Sequence, residues 1–195
     1  MPEYVLVPRS RVLLPGQRLR FRVHDAALSS RLAEIDEFCA VLSLGELSPV
    51  GVVARIVARS AAPYDRLDLE VVGGARLNIP ADTRAEAATT EAHLLSEELG
   101  DGDVELLRSE LQRGVRRLAA AAVESGQPGS ISPRLNPDPT VASYQAATIL
   151  PISQPERQEL LEIETTTLRL EHELRIVAGE TGILRHLLGL GRMGT

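Results

Sequence analysis

Lysine is missing altogether: all 21 basic residues are arginine. That absence removes three kinds of chemistry at once. A phosphate-binding Walker A loop needs its Gly-Lys-Ser/Thr. A Ser-Lys dyad needs a lysine base, and Schiff-base catalysis needs an amine. Aromatic residues make up only 3% of the chain, with no tryptophan. Platforms on which nucleic-acid bases stack are therefore hard to build, and the core must rest on Leu, Val, Ile and Ala. The single cysteine, Cys39, forbids an internal disulfide. It sits in the apolar run "EFCAVLSL", as a small buried hydrophobe would. No apolar run approaches the ~20 residues of a membrane span. The N-terminal stretch "MPEYVLVPRSR" lacks the basic-then-apolar pattern of a secretion signal. A cytoplasmic protein without membrane contact is the expectation. A net charge of −6 argues against nucleic acid as partner, which calls for a basic face.

What is present suits one large domain or two small ones: 195 residues, 44% hydrophobic and 25% charged. The first ~80 residues read as strands and turns. "YVLV" (4–7) ends at Pro8, and "RVLL" (11–14) ends at the turn dipeptide Pro15-Gly16. "RLRFRV" (18–23) places Leu19, Phe21 and Val23 on one face and Arg18, Arg20 and Arg22 on the other, the period of a half-buried strand. Residues 27–36 have helical spacing. Strands are expected over 38–44, 50–60 and 66–73, with a last short one over 75–79 after Gly73-Gly74. Residues 84–95 fit helix or strand.

The period changes in the second half. Val104, Leu107, Leu111, Val115, Leu118 and Ala122 form an amphipathic stripe behind Asp103, a suitable N-cap. A Pro/Gly-rich loop is expected near 125–140, then a short helix over 141–150. Ser153 and Glu156 in "SQPE" have the spacing of a capping box, with Pro155 in the first turn. A helix to about Ile163 follows. A longer one comes next, with Leu170, Leu174, Val177, Thr181, Leu184 and Leu188 on one stripe, where Gly179 and Gly182 are positions for a kink or break. The tail "GLGRMGT" is expected to fray.

Tests for chemistry find no catalytic, cofactor-binding or metal-binding constellation. The chain has no G-x-S-x-G, H-E-x-x-H or suitably placed G-x-G-x-x-G. His172 and His186 would stand ~21 Å apart on one straight helix. "GDGDVE" (100–105) begins like a calcium loop, but Leu106 stands where glycine is needed and Gln112 where glutamate is. The Arg18/Arg20/Arg22 face reads either as a binding surface for an acidic partner or as a solvated strand face.

Taken in order, several pieces resemble the N-terminal substrate-binding domain of Lon proteases. Val7-Pro8, then Val12-Leu13-Leu14-Pro15-Gly16, then Leu19, Phe21 and Val23 resemble the family's opening. "GVVARIV" (51–57) resembles its third piece, and "VVGGARLNI" (71–79) its Gly-x-x-Arg segment, with Gly73 and Arg76 in place. "LPISQPERQELLEIETTTLRLEHEL" (150–174) resembles the helical part, through Gln158, Leu160, Leu161, Glu162, Arg169 and Leu170. One piece departs: Asp25, Ala26, Ala27 and Leu28 stand where the family usually has Glu-Pro-Arg-Tyr.

The resemblance implies an α+β fold: a small, partly open β-barrel of the PUA-like type over residues 1–100, followed by a C-terminal helical bundle over 101–190. Pro15-Gly16 and Gly73-Gly74 would shape turns of the barrel. It implies a stand-alone, non-catalytic bacterial member without ATPase or protease domains or cofactor. Such a module would bind unfolded polypeptide or a partner protein in an apolar groove between barrel and helices, or at a barrel edge. Arg18, Arg20, Arg22 and Arg76 are the candidate contacts, a salt bridge to Asp68, Glu70 or another nearby acid being the alternative role for Arg76. Two other readings stand beside it: a PUA-like nucleic-acid binder, and a hydrolase with an unrecognised site.

Overall fold

The structure, a computed structural model, describes residues 2–63, 66–85, 88–125 and 134–193, with side chains described through Leu187. The chain forms two compact units. The first takes Met1–Ser96 and Ile152–Glu162, and the second takes Glu97–Pro151 and Ile163–Thr195. The first unit is thus discontinuous, whereas the sequence pattern put the break at about residue 100 alone.

The first unit is built on strands β1 (Glu3–Arg9), β2 (Arg18–Val23), β3 (Glu37–Ser43), β4 (Leu47–Ala62), β5 (Arg66–Asn78), β6 (Thr89–Glu91) and β7 (His93–Leu94). Helix α1 (Ala26–Ala33) follows β2, and α4 (Gln154–Glu162) belongs to the same unit. The strands make one mixed, unclosed sheet in the order β2-β5-β4-β3-β1-β6, with β7 paired to the end of β5. β1 and β3 are parallel and the other pairs antiparallel. This is the α+β architecture that the resemblance implies, with the sheet left unclosed. Leu6, Cys39, Val41, Val53, Leu77, Ile79 and Ala92 form its buried centre. The rings of Phe21 and Phe38 meet edge to face with centroids 6.2 Å apart, a favourable aromatic geometry. Burial pushes the Cys39 thiol up to about 12, which keeps it an inert core residue.

Two elements differ from the sequence pattern. Residues 11–14 form no strand. Val12, Leu13 and Leu14 are buried all the same, and side chains serve their backbone in place of a sheet. The Val12 N–H donates to Gln154 Oε1 (2.8 Å) and the Leu14 N–H to Gln17 Oε1 (3.0 Å). The Leu14 carbonyl accepts from the Gln17 N–H (3.0 Å), closing a turn through Pro15 and Gly16. Gly16 has φ +74°, the left-handed conformation that glycine enters without a Cβ penalty.

The second difference is that 66–73 and 75–79 are a single strand, β5, with Gly73-Gly74 in its interior. The reason is space. A Cβ on Gly73 would stand 2.1 Å from the Leu14 carbonyl oxygen, because the buried 12–14 segment crosses directly over it. The Gly16 N–H donates to the Gly73 carbonyl (2.8 Å) and the Gly73 N–H to the Gln17 carbonyl (2.9 Å). Glycine in a strand marks such a close backbone approach as well as it marks a turn.

The second unit packs α2 (Val104–Glu124), α3 (Pro139–Ile149) and α5 (Thr166–Met193). Asp103 caps α2 by accepting from the Leu106 N–H (3.0 Å), and Asp138 caps α3 from the Val141 N–H (2.9 Å). Gly114 lets α2 approach α5: a Cβ there would lie 2.9 Å from Val177 Cγ1. α5 runs unbroken through Gly179 and Gly182, since packing along one face outweighs the modest propensity cost of glycine. Most of the Pro/Gly-rich loop expected near 125–140, residues 64 and 65 between the strands expected over 50–60 and 66–73, residues 86 and 87 of the ambiguous stretch, the Leu188 position of the stripe and the end of the tail lie outside what is described. Among the described residues, no helix is long and apolar enough to cross a membrane.

Candidate functional site

The open end of the sheet in the first unit carries the charged face that the alternation predicts. β2 is the terminal strand, hydrogen-bonded by β5 on one side. Its register sets Arg20 opposite Glu70 and Arg22 opposite Asp68. Directly opposed residues on one sheet face lie close enough to pair. Arg22 and Asp68 form a two-point contact at 2.6 and 2.8 Å. Glu70 accepts from both Arg18 (2.8 Å) and Arg20 (2.6 Å). The Arg22 hydrogen bond holds the Asp68 carboxyl below its usual range, and the Arg20 bond does the same for Glu70. Asp68 in turn raises Arg22. The arginines stay in water, with side chains 66%, 82% and 47% exposed for Arg18, Arg20 and Arg22. Three guanidiniums meet two carboxylates, so positive charge is in excess.

A groove of ≈ 530 Å³ opens at this end of the sheet, lined by Phe21, Leu69, Arg20, Arg22, Arg59 and Ser60 among others. Arg59 is tied down: it donates to the carbonyls of Leu32 and Ile35 at the end of α1 and to Asp36 Oδ1 (3.1 Å). Arg9 lies over the Phe21 ring, its guanidinium carbon 3.9 Å from the centroid, a cation–π contact. Burial lowers the Arg9 guanidinium from its ordinary value, and the neighbouring Arg11 adds to the effect. Phe21 and Leu69 turn to the inward side of the sheet, away from Arg20, Arg22, Asp68 and Glu70, and Leu69 is only 2% exposed, so the groove wall is charged.

Arg76 lies elsewhere. It is 2% exposed and donates to the carbonyls of Leu161 (3.0 Å) and Ser96 (3.2 Å), while Asp68 and Glu70 serve the β2 arginines. Its guanidinium holds α4 to the sheet. Gln154 and Gln158 do the same from the helix side, Gln158 donating to the Val50 carbonyl (2.9 Å). Ser153 and Glu156 close the α4 capping box: the Ser153 N–H donates to Glu156 Oε2 (2.7 Å) and the Glu156 N–H to Ser153 Oγ (3.3 Å). Asp25, at the departing piece, caps α1 through the Leu28 N–H (2.6 Å).

The second unit holds a buried polar cluster that the spacing did not reveal. Arg169 is fully buried and donates to Glu97 (3.1 Å), Ser143 Oγ (2.8 Å) and the Ile163 carbonyl (3.2 Å). The Tyr144 hydroxyl donates to Glu97 (2.7 Å), and its ring lies 4.0 Å from the Arg169 guanidinium carbon. One turn along α5, Glu173 is also buried, and neither carboxyl oxygen has a partner among the described residues. Burial holds that carboxyl well above the ordinary range, against the opposing pull of Arg169. Residues four apart on a helix share a face, a weak signal in "LRLEHE" for both groups. Among the described residues, no cluster of three or more His, Cys, Asp or Glu could hold a metal ion.

The open mixed sheet and the helices that follow it define an α+β domain. Residues 3–179 match the family model of the ATP-dependent protease La (LON) substrate-binding domain, and the chain belongs to that family. Two solved structures share its fold. The Lon N-terminal domain protein from Xanthomonas campestris superposes with a TM-score of 0.63 at 21% identity, over 90% of this chain and 98% of that one. The N-terminal domain of the Mycobacterium avium complex Lon protease gives 0.68 at 18% identity, over 91% and 98%. No curated protein matches the chain.

Proposed function

We propose that the chain is a non-catalytic recognition module of the Lon substrate-binding type, which holds unfolded polypeptide or a partner protein in cytoplasmic protein quality control. The match to the substrate-binding family over residues 3–179 carries the reading. The open β2 edge supports it, because an extended peptide can add to an unpaired strand through main-chain hydrogen bonds, with side chains seated in flanking pockets. Arg18, Arg20 and Arg22 supply a polar face beside that edge, and Phe21 and Leu69 lie on the opposite, inward face. Arg76 contributes by positioning α4. Fluorescence anisotropy of the purified chain with a permanently unfolded, labelled model protein tests the proposal. Saturable binding in the micromolar range is expected, and its absence up to high micromolar concentration would sink it.

A further inference from the structure

From the charge and geometry of the β2 edge we infer that the preferred occupant of the groove is an extended segment rich in Asp and Glu. This rests on the proposed recognition role and names the substrate class of the same site.

The whole chain carries −6, yet three arginines stand together on this strand face against two carboxylates. Glu70 is shared by two arginines, so at least one guanidinium there lacks a carboxylate of its own.

Strand geometry makes the pattern readable. Successive side chains of an added strand point to opposite faces. A segment alternating acidic and apolar residues would therefore present carboxylates to Arg18, Arg20 and Arg22, and apolar groups to the side of Phe21 and Leu69. A basic segment would meet like charges on that face, which disfavours it more strongly than pairing favours an acidic one. The internal carboxylates of Asp68 and Glu70 hold the guanidiniums in position before any partner arrives, so little side-chain freedom remains to be lost on binding.

Three labelled peptides of equal length test the inference, with Val alternating with Glu, Gln or Lys, titrated into the full chain at low and at physiological salt. The Glu peptide is expected to bind about tenfold more tightly than the Lys peptide at low salt, the gap narrowing as salt rises. Arg20→Gln and Arg18→Gln should each weaken the Glu peptide about threefold and narrow the gap between the Glu and Lys peptides. Both side chains are exposed, 82% for Arg20 and 66% for Arg18, so neither substitution disturbs the core. Equal binding of all three peptides would overturn the acidic preference and leave the recognition role standing. Binding of none of them, together with no binding of the unfolded model protein, would remove the recognition role itself. Self-association of the chain that Arg20→Gln abolishes would overturn the stated occupant and assign the groove to a second copy.

Discussion

At the scale of single residues, the two units treat charge in opposite ways. On the first, Arg18, Arg20 and Arg22 keep to water and make exposed pairs whose worth is small and salt-screened. In the second, Arg169 is fully dehydrated and compensated by Glu97, Ser143, a carbonyl and the Tyr144 ring. Glu173 is dehydrated without hydrogen-bond compensation among the described residues, so it costs stability when ionised. Its folded-state pKa is raised, so its contribution is complete below the unfolded value of about 4.3 and is lost as pH rises from there toward the folded value. The loss approaches 1.4 kcal/mol per pH unit at most, by the general linkage relation. Glu173→Leu is therefore expected to stabilise the chain at pH 7 by roughly 1–4 kcal/mol, the gain shrinking toward pH 4. Urea midpoints of both proteins at pH 5 and pH 7 check this, and a gain independent of pH would refute the assignment. The motif residues are mostly of the compensated kind. Gln158, Leu160, Leu161, Arg169, Leu170 and Arg76 are all buried, and they carry packing and anchoring.

At the scale of elements, the first unit depends on backbone passing close to backbone. The 12–14 segment lies over Gly73, and Gly51 would bring a Cβ within 2.9 Å of the Ala40 carbonyl oxygen. Gly73→Ala should destabilise by roughly 3 kcal/mol, because the atom in the way is main chain and cannot swing aside. A denaturant titration reads the effect, and Gly179→Ala is the control: that glycine has open space around it and should gain slightly from helix propensity. A loss below 0.5 kcal/mol at Gly73 would mean that the crossing segment yields. Period-two patterning told which residues of β2 and β5 face inward. It could not tell a turn glycine from a contact glycine, since both look alike in "VVGGAR". The buried run "VLL" looked like a strand because burial and strand pairing leave the same apolar signature.

At the scale of the whole molecule, the return of Ile152–Glu162 to the first unit makes the chain order and the structural order differ. A fragment ending at residue 100 would lack α4 and so leave Arg76, the Val12 N–H and the Val50 carbonyl without their partners on that helix. It is expected to lose cooperative unfolding, and thermal circular dichroism of the fragment beside the full chain measures this. A sharp transition in the fragment would show that α4 is dispensable. By itself, the sequence determined the strand-then-helix order, the α+β class, the charged face of β2, the helix caps at Asp103 and Ser153, and the resemblance to the Lon family. The resemblance rests on the order of short motifs, and the rest follows from local periodicity, capping chemistry and spacing, which neighbouring residues carry between them. Only the tertiary structure decided that Gly73 is a crossing point, that Arg76 anchors α4, that Arg169 and Glu173 are dehydrated, and that β2 forms an open edge beside a groove. Each of those depends on which distant segments meet, and contact between segments far apart in the chain leaves no periodic trace in either one.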